Sequence, residues 1–169
     1  MFFFLSFTLI CTSSLASAST IGFSYSASVG NGGGISYATE GNGRITAIRV
    51  WERPNSFVTS LQLCYDYIWS ERIGKAGGNL QEMQLYDDET IIQVSGKHSN
   101  FIFQLVFVTS RGRFFSAGSP TGFSFHFYPT DSKAGLRLLS GRYTSSGITS
   151  LGAHWGEVIT NQYRGSRRR

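Results

Sequence analysis

The chain has 169 residues, which is enough for one domain with a substantial core, and only 15% of them are charged. Glycine occurs 20 times and aromatic residues make up 15% of the chain, a composition that excludes a disordered protein and is typical of a β-rich domain with many tight turns. The net charge of +5 is accompanied by no nucleic-acid recognition motif, so we expect no nucleic-acid partner.

The N-terminus has the pattern of a secretory signal peptide. Residues 2–15 are mostly apolar and uncharged, and Ala16, Ser17 and Ala18 form a small-residue cleavage site, which predicts a signal peptide over 1–18. A membrane anchor is the rival interpretation, but about 14 residues are fewer than the ~20 that a spanning helix needs. We therefore expect a secreted chain with one domain over 19–160 and no transmembrane segment after cleavage.

The two cysteines cannot build a disulfide-stabilised scaffold. Cleavage of the signal would remove Cys11 and leave Cys64 alone in the mature chain. Cys64 lies within a strand pattern over 57–67, so it is interpreted either as a packed small side chain or as a handle for intermolecular pairing.

The mature chain consists of short runs of β-branched and aromatic residues separated by turn residues. No window has the apolar spacing of an amphipathic helix, so the chain is predicted to be all-β. Segment 101–109 is the most apolar and is expected to be a central strand. Phe123, Phe125 and Phe127 alternate with polar residues, which predicts one buried phenylalanine face. The other strands are predicted at 21–28, 45–51, 57–67, 80–85, 91–96, 114–115, 136–139 and 148–155.

Two glycine-rich segments interrupt these strands. Gly32, Gly33 and Gly34 impose no side chain on their loop, so backbone amides could approach a ligand there, although a plain flexible turn explains them equally well. Residues 74–78 superficially resemble a phosphate-binding loop, but the spacing is wrong and no helix follows, which excludes nucleotide binding.

An internal repeat links the strands. Leu61, Val106 and Leu151 are evenly spaced at 45 residues, and 94–97 matches 139–142 almost residue for residue. A repeat of this length holds about four short strands, and a single sheet cannot bury its own apolar face. We therefore expect three similar sheets packed around one core.

Six segments, in order along the chain, resemble the jacalin-related lectins. They are Asn-Gly-Gly-Gly at 31–34, Ile-Thr-Ala-Ile-Arg-Val at 45–50, Gly-Asn-Leu-Gln-Glu at 78–82, Ile-Gln-Val-Ser-Gly-Lys at 92–97, Leu-Val-Phe-Val-Thr at 105–109 and Leu-Gly-Ala-His-Trp at 151–155. The resemblance implies a β-prism of three four-stranded antiparallel sheets with pseudo-threefold symmetry, which agrees with the repeat. It also implies a metal-independent, cofactor-free carbohydrate-binding protein that is secreted or held in the lumen of secretory granules.

In that family three loops at one end of the prism bind sugar, through backbone amides, hydroxyls and an aromatic ring that covers the apolar face of the sugar. The resemblance assigns the glycine loop to Gly32, Gly33 and Gly34. It assigns the recognition loop to Lys97, His98, Ser99 and Asn100, and the binding loop to Arg142, Tyr143, Thr144, Ser145, Ser146 and Thr149.

The binding loop departs from the family at one position. An aspartate usually ends this loop, but Thr149 stands there, after an additional loop residue. A charged acceptor contributes ~1.5–3 kcal/mol per hydrogen bond against ~0.5–1.5 for a neutral one, so neutral-sugar binding is expected to weaken about tenfold or more. The rim is expected to hold Arg142, Lys97 and His98 and no acidic residue. The expected partners are mannose-type glycans or anionic and sulfated polysaccharides, of which this balance favours the anionic ones, with peripheral attachment to a glycosylated membrane surface.

Two other functions are weighed against a lectin. An enzyme is disfavoured because no catalytic triad, metal-ligand spacing or carboxylate pair can be identified, and His126 and His154 are expected to be structural. We therefore predict no catalytic and no metal site. The alternative is a non-catalytic packing or interaction protein of secretory granules that has lost sugar binding.

The chain ends in a basic tail at 161–169, which contains four arginines. It is interpreted either as a solvated end or as a segment attracted to anionic glycan or lipid head groups.

Overall fold

The computed structural model describes residues 22–157, and every regular element among them is a β-strand. The strands are β1 (Ser24–Gly30), β2 (Ile35–Ala38), β3 (Ile45–Glu52), β4 (Val58–Tyr65), β5 (Ile68–Trp69), β6 (Ile73–Gly74), β7 (Asn79–Gln84), β8 (Ile91–His98), β9 (Ile102–Thr109), β10 (Phe114–Gly118), β11 (Phe123–Phe127), β12 (Ala134–Tyr143) and β13 (Ile148–Glu157). This part of the chain holds no helix long and apolar enough to cross a membrane. The signal peptide at 1–18, the domain ends at 19 and 160 and the basic tail lie outside the described residues.

The strands form three antiparallel sheets, as the repeat predicts. Sheet 1 has the order β1-β13-β12-β2, sheet 2 the order β5-β4-β3-β7, and sheet 3 the order β10-β9-β8-β11. Sheet 2 contains a fifth strand, β6, so the prediction of four strands in every sheet is wrong in one case. The reason is that β5 and β6 both pair with β4, one at 64–65 and the other at 60–61, and together fill a single edge position.

The hairpins β3–β4, β8–β9 and β12–β13 occupy the middle of the three sheets, so the 45-residue repeat is correct at the level of strands. At the level of side chains it is wrong by one residue in sheet 3. Leu61 and Leu151 are buried, whereas Val106 is partly exposed and its neighbour Leu105 takes the buried position. All three central hairpins contain the same bulge, so the bulge does not cause this difference. The equivalent buried positions Leu61, Leu105 and Leu151 are 44 and 46 residues apart, and an offset of one residue moves a side chain to the other face of its sheet.

The core lies between the three sheets and receives large apolar side chains from each of them. Its fully buried members include Ile48 and Leu63 of sheet 2, Leu105 and Phe107 of sheet 3, and Leu139 and Trp155 of sheet 1. Each sheet thus buries its apolar face against the other two sheets, which a single sheet could not do alone.

Several local predictions can be compared with the structure. β9 lies between β10 and β8, so its central position is confirmed. Phe125 and Phe127 are buried, but Phe123 is 72% exposed, so the buried phenylalanine face is wrong at this residue, which lies at the end of an edge strand. Cys64 is only 4% exposed, which supports the packed interpretation and removes its thiol from an intermolecular partner.

Three equivalent hairpin turns meet at one end of the prism. The Phe57 ring, from the turn after β3, stacks on the Phe101 ring with 4.1 Å between centroids. The same ring lies against Gly147 in the turn after β12, where a Cβ would be 2.9 Å from it. We call this end, with the turns at 53–57, 99–101 and 144–147 and the glycine loop at 31–34, the loop end.

Candidate functional site

The glycine loop and the turn after β12 form one continuous surface at the loop end. Gly34 has a φ of +99°, and a Cβ at this position would lie 2.1 Å from the carbonyl oxygen of Tyr143. Only glycine tolerates both conditions, so the glycine run is explained by close packing of one loop on the other. The amide of Asn31 donates to the carbonyl of Thr149 at 3.1 Å, and the amide of Gly33 donates to the Asn31 side chain at 2.9 Å.

Thr149 joins the two loops from inside. Its side chain is 2% exposed, and its hydroxyl lies within hydrogen-bonding distance of the carbonyl oxygens of Gly33 and Arg142. A hydroxyl carries a single hydrogen, so the two carbonyls share one donor. The resemblance places Thr149 where a ligand-binding carboxylate is usual, whereas in the structure its hydroxyl faces the protein rather than solvent.

The other residues assigned to the binding loop surround this joint. Arg142 is exposed and donates from Nη1 to the carbonyl of Gly34 at 3.0 Å. The amide of Thr144 donates to the carbonyl of Gly147 at 2.9 Å, and the Thr144 hydroxyl accepts from the amide of Ser146 at 3.2 Å. These bonds close a tight turn that leaves the Ser145 and Ser146 side chains exposed.

Tyr143 is partly buried, and its ring centroid lies 6.2 Å from that of Tyr37. The Tyr37 hydroxyl donates to the carbonyl of Ser150 at 3.2 Å, and burial raises the pKa of this phenol above its ordinary value. Tyr37 therefore remains a protonated donor that fixes the sheet beneath the loops.

The recognition loop stands apart from the other two. Lys97 donates to the Ser124 hydroxyl at 2.9 Å within sheet 3, and the His98 ring lies about 6 Å from the rings of Phe123 and Phe125. Ser99 and Asn100 are exposed. Between residues 22 and 157 no hydrogen bond joins this loop to the glycine loop. The Phe57 ring instead connects Phe101, beside the recognition loop, with Gly147 in the turn after β12.

The turn after β3 is a part of the loop end that the sequence analysis did not assign to the site. Phe57 bridges the turns after β8 and β12, and the exposed Arg53 guanidinium lies over the Phe57 ring at 5.9 Å. The available signal was the internal repeat, because it makes the turn after β3 equivalent to the two turns that were assigned.

The expectation of a rim without acidic residues is wrong on one side of the site. A groove of about 360 Å³ runs between the edges of sheets 1 and 2, and its lining includes Tyr143, Glu40 and Glu71. A third carboxylate, Glu52, accepts hydrogen bonds from the Gly118 amide and from Gln81. The charge around the loop end is thus mixed, with Glu40 and Glu71 in the groove beside Tyr143, and with Glu52 next to Arg53 in the chain.

Catalytic and metal chemistry find little support in the structure. No group of three His, Cys, Asp or Glu side chains within the described part of the chain could hold a metal ion. His126 is exposed on β11, and His154 is hydrogen-bonded to the Ser140 hydroxyl at 2.9 Å. Over the range 22–157, no hydrogen bond joins a histidine to a carboxylate, which a Ser-His-Asp triad requires.

A prism of three antiparallel sheets with glycine- and hydroxyl-rich loops at one end is the arrangement that the resemblance to the jacalin-related lectins implies. A family model described as the Jacalin-like lectin domain matches residues 26–154, and the chain belongs to this family. Family membership confirms the predicted fold and the prediction of a carbohydrate-binding protein that is not an enzyme.

Individual relatives support the same assignment. The chain is 40% identical to zymogen granule membrane protein 16 of Homo sapiens over 152 residues, which cover 87% of this chain and 89% of that protein. It is also similar to the crystal structure of a prostate-specific WGA16 glycoprotein lectin, with a TM-score of 0.72, 31% identity, and coverage of 80% of this chain and 100% of that chain. Artocarpin, described as a lectin with mannose specificity, shares the fold at a TM-score of 0.68 and 20% identity, with coverage of 82% and 99%.

Proposed function

We propose that the loop end binds anionic polysaccharides, and sulfated chains in particular, in preference to neutral mannose-type glycans. The observation that carries this proposal is the state of its arginines. Arg142 is held by a backbone carbonyl and Arg53 by an aromatic ring, and among the described residues neither forms an ion pair. Their charges are therefore available to a ligand, whereas the carbonyl and the ring fix where those charges lie.

Neutral sugars gain less from this site. The hydroxyl of Thr149 is occupied by the carbonyls of Gly33 and Arg142, so it offers a sugar no free acceptor comparable to a carboxylate. Neutral hydrogen-bonding groups remain at Ser145 and Ser146 and along the glycine loop. Weak mannose-type binding is consistent with this set, and a charged ligand would add the ion-pair contribution.

We further propose that the protein is secreted and associates with secretory granules, with peripheral attachment to glycosylated membrane surfaces through its ligand. The support is the apolar segment at 2–15 with its small-residue site at 16–18, and the name of the relative, zymogen granule membrane protein 16. Exposed arginines at one end of the prism are suited to attract the anionic chains of a granule.

The inward hydroxyl of Thr149 also favours a second candidate function, a packing or interaction protein of granules that no longer binds sugar. The two candidates differ in one measurable property. A lectin for anionic chains must bind isolated sulfated oligosaccharides, and a packing protein that has lost sugar binding must not.

A glycan array that carries sulfated and mannose-type structures, probed with the mature chain 19–169, tests the proposal. We expect sulfated chains to give the strongest signal, and the affinity for a sulfated tetrasaccharide to fall as salt is raised from 0.05 to 0.3 M. The reason is that the Debye length, ~10 Å at 0.1 M, shortens as salt rises, so attraction between exposed charges is screened more strongly. Signal for mannose-type structures alone, or binding insensitive to salt, contradicts an anionic preference. A folded protein with no signal at all supports the packing alternative.

Two matched variants locate the binding surface. Arg142→Gln removes a cation at the loop end and is expected to weaken binding of the sulfated tetrasaccharide roughly threefold to fivefold, the effect of one exposed ion pair. Arg111→Gln removes an exposed arginine from the turn after β9, where it pairs with Asp88, and should leave the affinity unchanged. Equal losses in the two variants would indicate attraction to the overall charge rather than a site.

A further inference from the structure

The outer face of sheet 1 carries two adjoining grooves that the loop site does not account for. The first, of about 400 Å³, begins at the glycine loop and is lined mainly by small polar residues; we call it the serine groove. The second, of about 430 Å³, lies further along the same face and is lined mainly by large side chains; we call it the aromatic groove. The serine groove includes Ser28, Gly32, Ser36, Ser140, Arg142 and Ser150, and the aromatic groove includes Phe23, Tyr25, Arg137 and His154.

Two hydrogen bonds join the grooves into one track. The Tyr25 hydroxyl bonds to the Ser28 hydroxyl at 2.8 Å, and His154 Nε2 bonds to the Ser140 hydroxyl at 2.9 Å. In each pair the serine lines one groove and the aromatic partner lines the other. The track follows β13 from Ser150 to Trp155, a length of about 17 Å at ~3.4 Å per residue, which is longer than a single sugar ring.

Glycines in β13 leave room for aromatic side chains to lie against the sheet. A Cβ at Gly152 would lie 2.8 Å from the Tyr25 hydroxyl oxygen, and a Cβ at Gly156 would lie 2.5 Å from the Phe23 ring. The rings occupy the space that side chains would fill on this face. Even so, Tyr25 remains 52% exposed and Phe23 82% exposed, so both retain free surface towards solvent.

The chemistry of the track matches an oligosaccharide. Exposed aromatic rings cover the C–H faces of pyranose rings, and serine hydroxyls can donate to and accept from sugar hydroxyls. The Tyr25 and His154 rings lie 4.6 Å apart and extend this platform. Arg142 stands at one end of the track and Arg137 at the other, so both ends can meet the negative charges of one anionic chain.

We propose that the outer face of sheet 1 is an extended glycan subsite, in which a chain bound at the loop end continues along β13 and places its next sugar rings on Tyr25 and Phe23. This inference rests on the proposed function of the loop end, because it makes the serine groove the continuation of that site. It implies that affinity increases with the length of the ligand, because longer oligosaccharides make contacts that a disaccharide cannot reach.

The test is the gain in affinity with ligand length, measured by titration calorimetry with sulfated di-, tetra- and hexasaccharides. For the unmodified protein we expect affinity to rise from the disaccharide to the hexasaccharide. Tyr25→Ala should weaken hexasaccharide binding roughly two- to tenfold and leave disaccharide binding unchanged. Phe114→Ala, which removes a similarly exposed ring from β10 of sheet 3, serves as the matched control and should change neither affinity.

A second variant displaces the ring instead of deleting it. Gly152→Ala puts a methyl group where the Tyr25 hydroxyl lies, so it should reduce the same gain with ligand length while the tyrosine is still present. Thermal unfolding of each variant establishes that it is folded.

The outcomes separate this inference from the function on which it rests. Binding that is independent of ligand length, or equal losses for short and long ligands in Tyr25→Ala, overturns the extended subsite but leaves the loop site in place. No binding of any oligosaccharide by the folded, unmodified protein overturns both. A change of sedimentation mass in Tyr25→Ala without a change in the length dependence overturns the subsite and makes this face a contact between two copies of the chain.

Discussion

The arginines at the two ends of the prism differ in their partners. At the end away from the loop end, Arg113 pairs with Glu89, Arg111 with Asp88 and Arg44 with Asp87; we call this the ion-pair end. At the loop end, Arg142 and Arg53 are held by a carbonyl and by a ring. The three arginines of the ion-pair end are neutralised within the fold, whereas Arg137, which lines a pocket at the same end, donates to the backbone carbonyl of Glu157. Arg142 and Arg53 at the loop end keep their charge for a ligand.

Buried polar groups show the same division. The Glu89 side chain is fully buried and accepts hydrogen bonds from Arg113, the Thr109 hydroxyl and the amide of Tyr86. At the loop end the equivalent joint is made by Thr149, an uncharged hydroxyl between two carbonyls. The ion-pair end is therefore fixed by charge and the loop end by neutral hydrogen bonds. Because different groups act at the two ends, mutations should change stability and ligand binding separately.

The largest expected effect is the loss of the Glu89 carboxylate. Glu89→Gln replaces a buried acceptor of several hydrogen bonds with an amide that must place a donor against Arg113 or Thr109. We expect a loss of about 2–3 kcal/mol in the free energy of unfolding, measured by urea titration at pH 7. Glycan binding by the folded variant should be unchanged. Asp88→Asn, at the exposed pair beside it, is the control and should shift the urea midpoint much less.

The second prediction concerns acid. Burial acts to raise the pKa of Glu89, but hydrogen bonds from Arg113, Thr109 and the Tyr86 amide outweigh it and hold the pKa at about 2, below its ordinary value of 4.5. Between these two values the unfolded chain binds the proton more readily than the folded chain does. The contribution of Glu89 is therefore complete above about pH 4.5 and is lost as the pH falls towards 2.

Urea titrations at pH 6, 4 and 3 measure this loss. The unmodified protein should lose stability steadily over this range, and Glu89→Gln should show a flatter dependence because its side chain does not titrate. Equal slopes in the two proteins would assign the acid sensitivity to other carboxylates. Asp88 belongs among these, since its hydrogen bonds with Arg111 lower its pKa as well.

A smaller effect is expected from Thr149→Val at the loop end. Valine keeps the shape of the side chain but removes the hydroxyl donor shared by the carbonyls of Gly33 and Arg142. We expect a loss of about 1 kcal/mol in unfolding free energy, together with weaker binding of the sulfated tetrasaccharide, because the two loops are no longer joined. Thr121→Val, at an exposed threonine before β11, is the control. A stability loss without a loss of affinity would show that the joint supports the fold alone.

Much of this architecture could be predicted from the sequence because the signals are repeated. The period of 45 residues identified three equivalent hairpins, and apolar runs such as that of β9 identified the buried strands. The burial of Phe107 and Leu105 instead of Val106 could not be predicted, because residues 105–108 are all apolar and do not show which face of β9 is buried.

The site was harder to predict because its geometry depends on contacts between distant segments. The glycine loop and the turn after β12 were correctly expected to lie together, since the resemblance carried their positions. The inward orientation of Thr149 depends on carbonyls from two other segments, and the role of Phe57 depends on the packing of three turns. Neither leaves a local pattern in the sequence. The carboxylates of Glu40 and Glu71 beside Tyr143 were missed for the same reason.

The smallest expected effect on stability is also the sharpest test of the comparison between the two ends. Arg111→Gln breaks an exposed pair that lowers the pKa of Asp88, so it should reduce the urea midpoint slightly at low salt and leave glycan affinity unchanged. Arg142→Gln exchanges one side-chain hydrogen bond to the Gly34 carbonyl for another, so the midpoint should stay within error while the affinity for a sulfated tetrasaccharide falls. If Arg142→Gln instead destabilises the protein more than Arg111→Gln does, the loop-end arginine is a structural residue like those at the ion-pair end. The distinction between charges that hold the fold and charges that are free for a ligand would then fail.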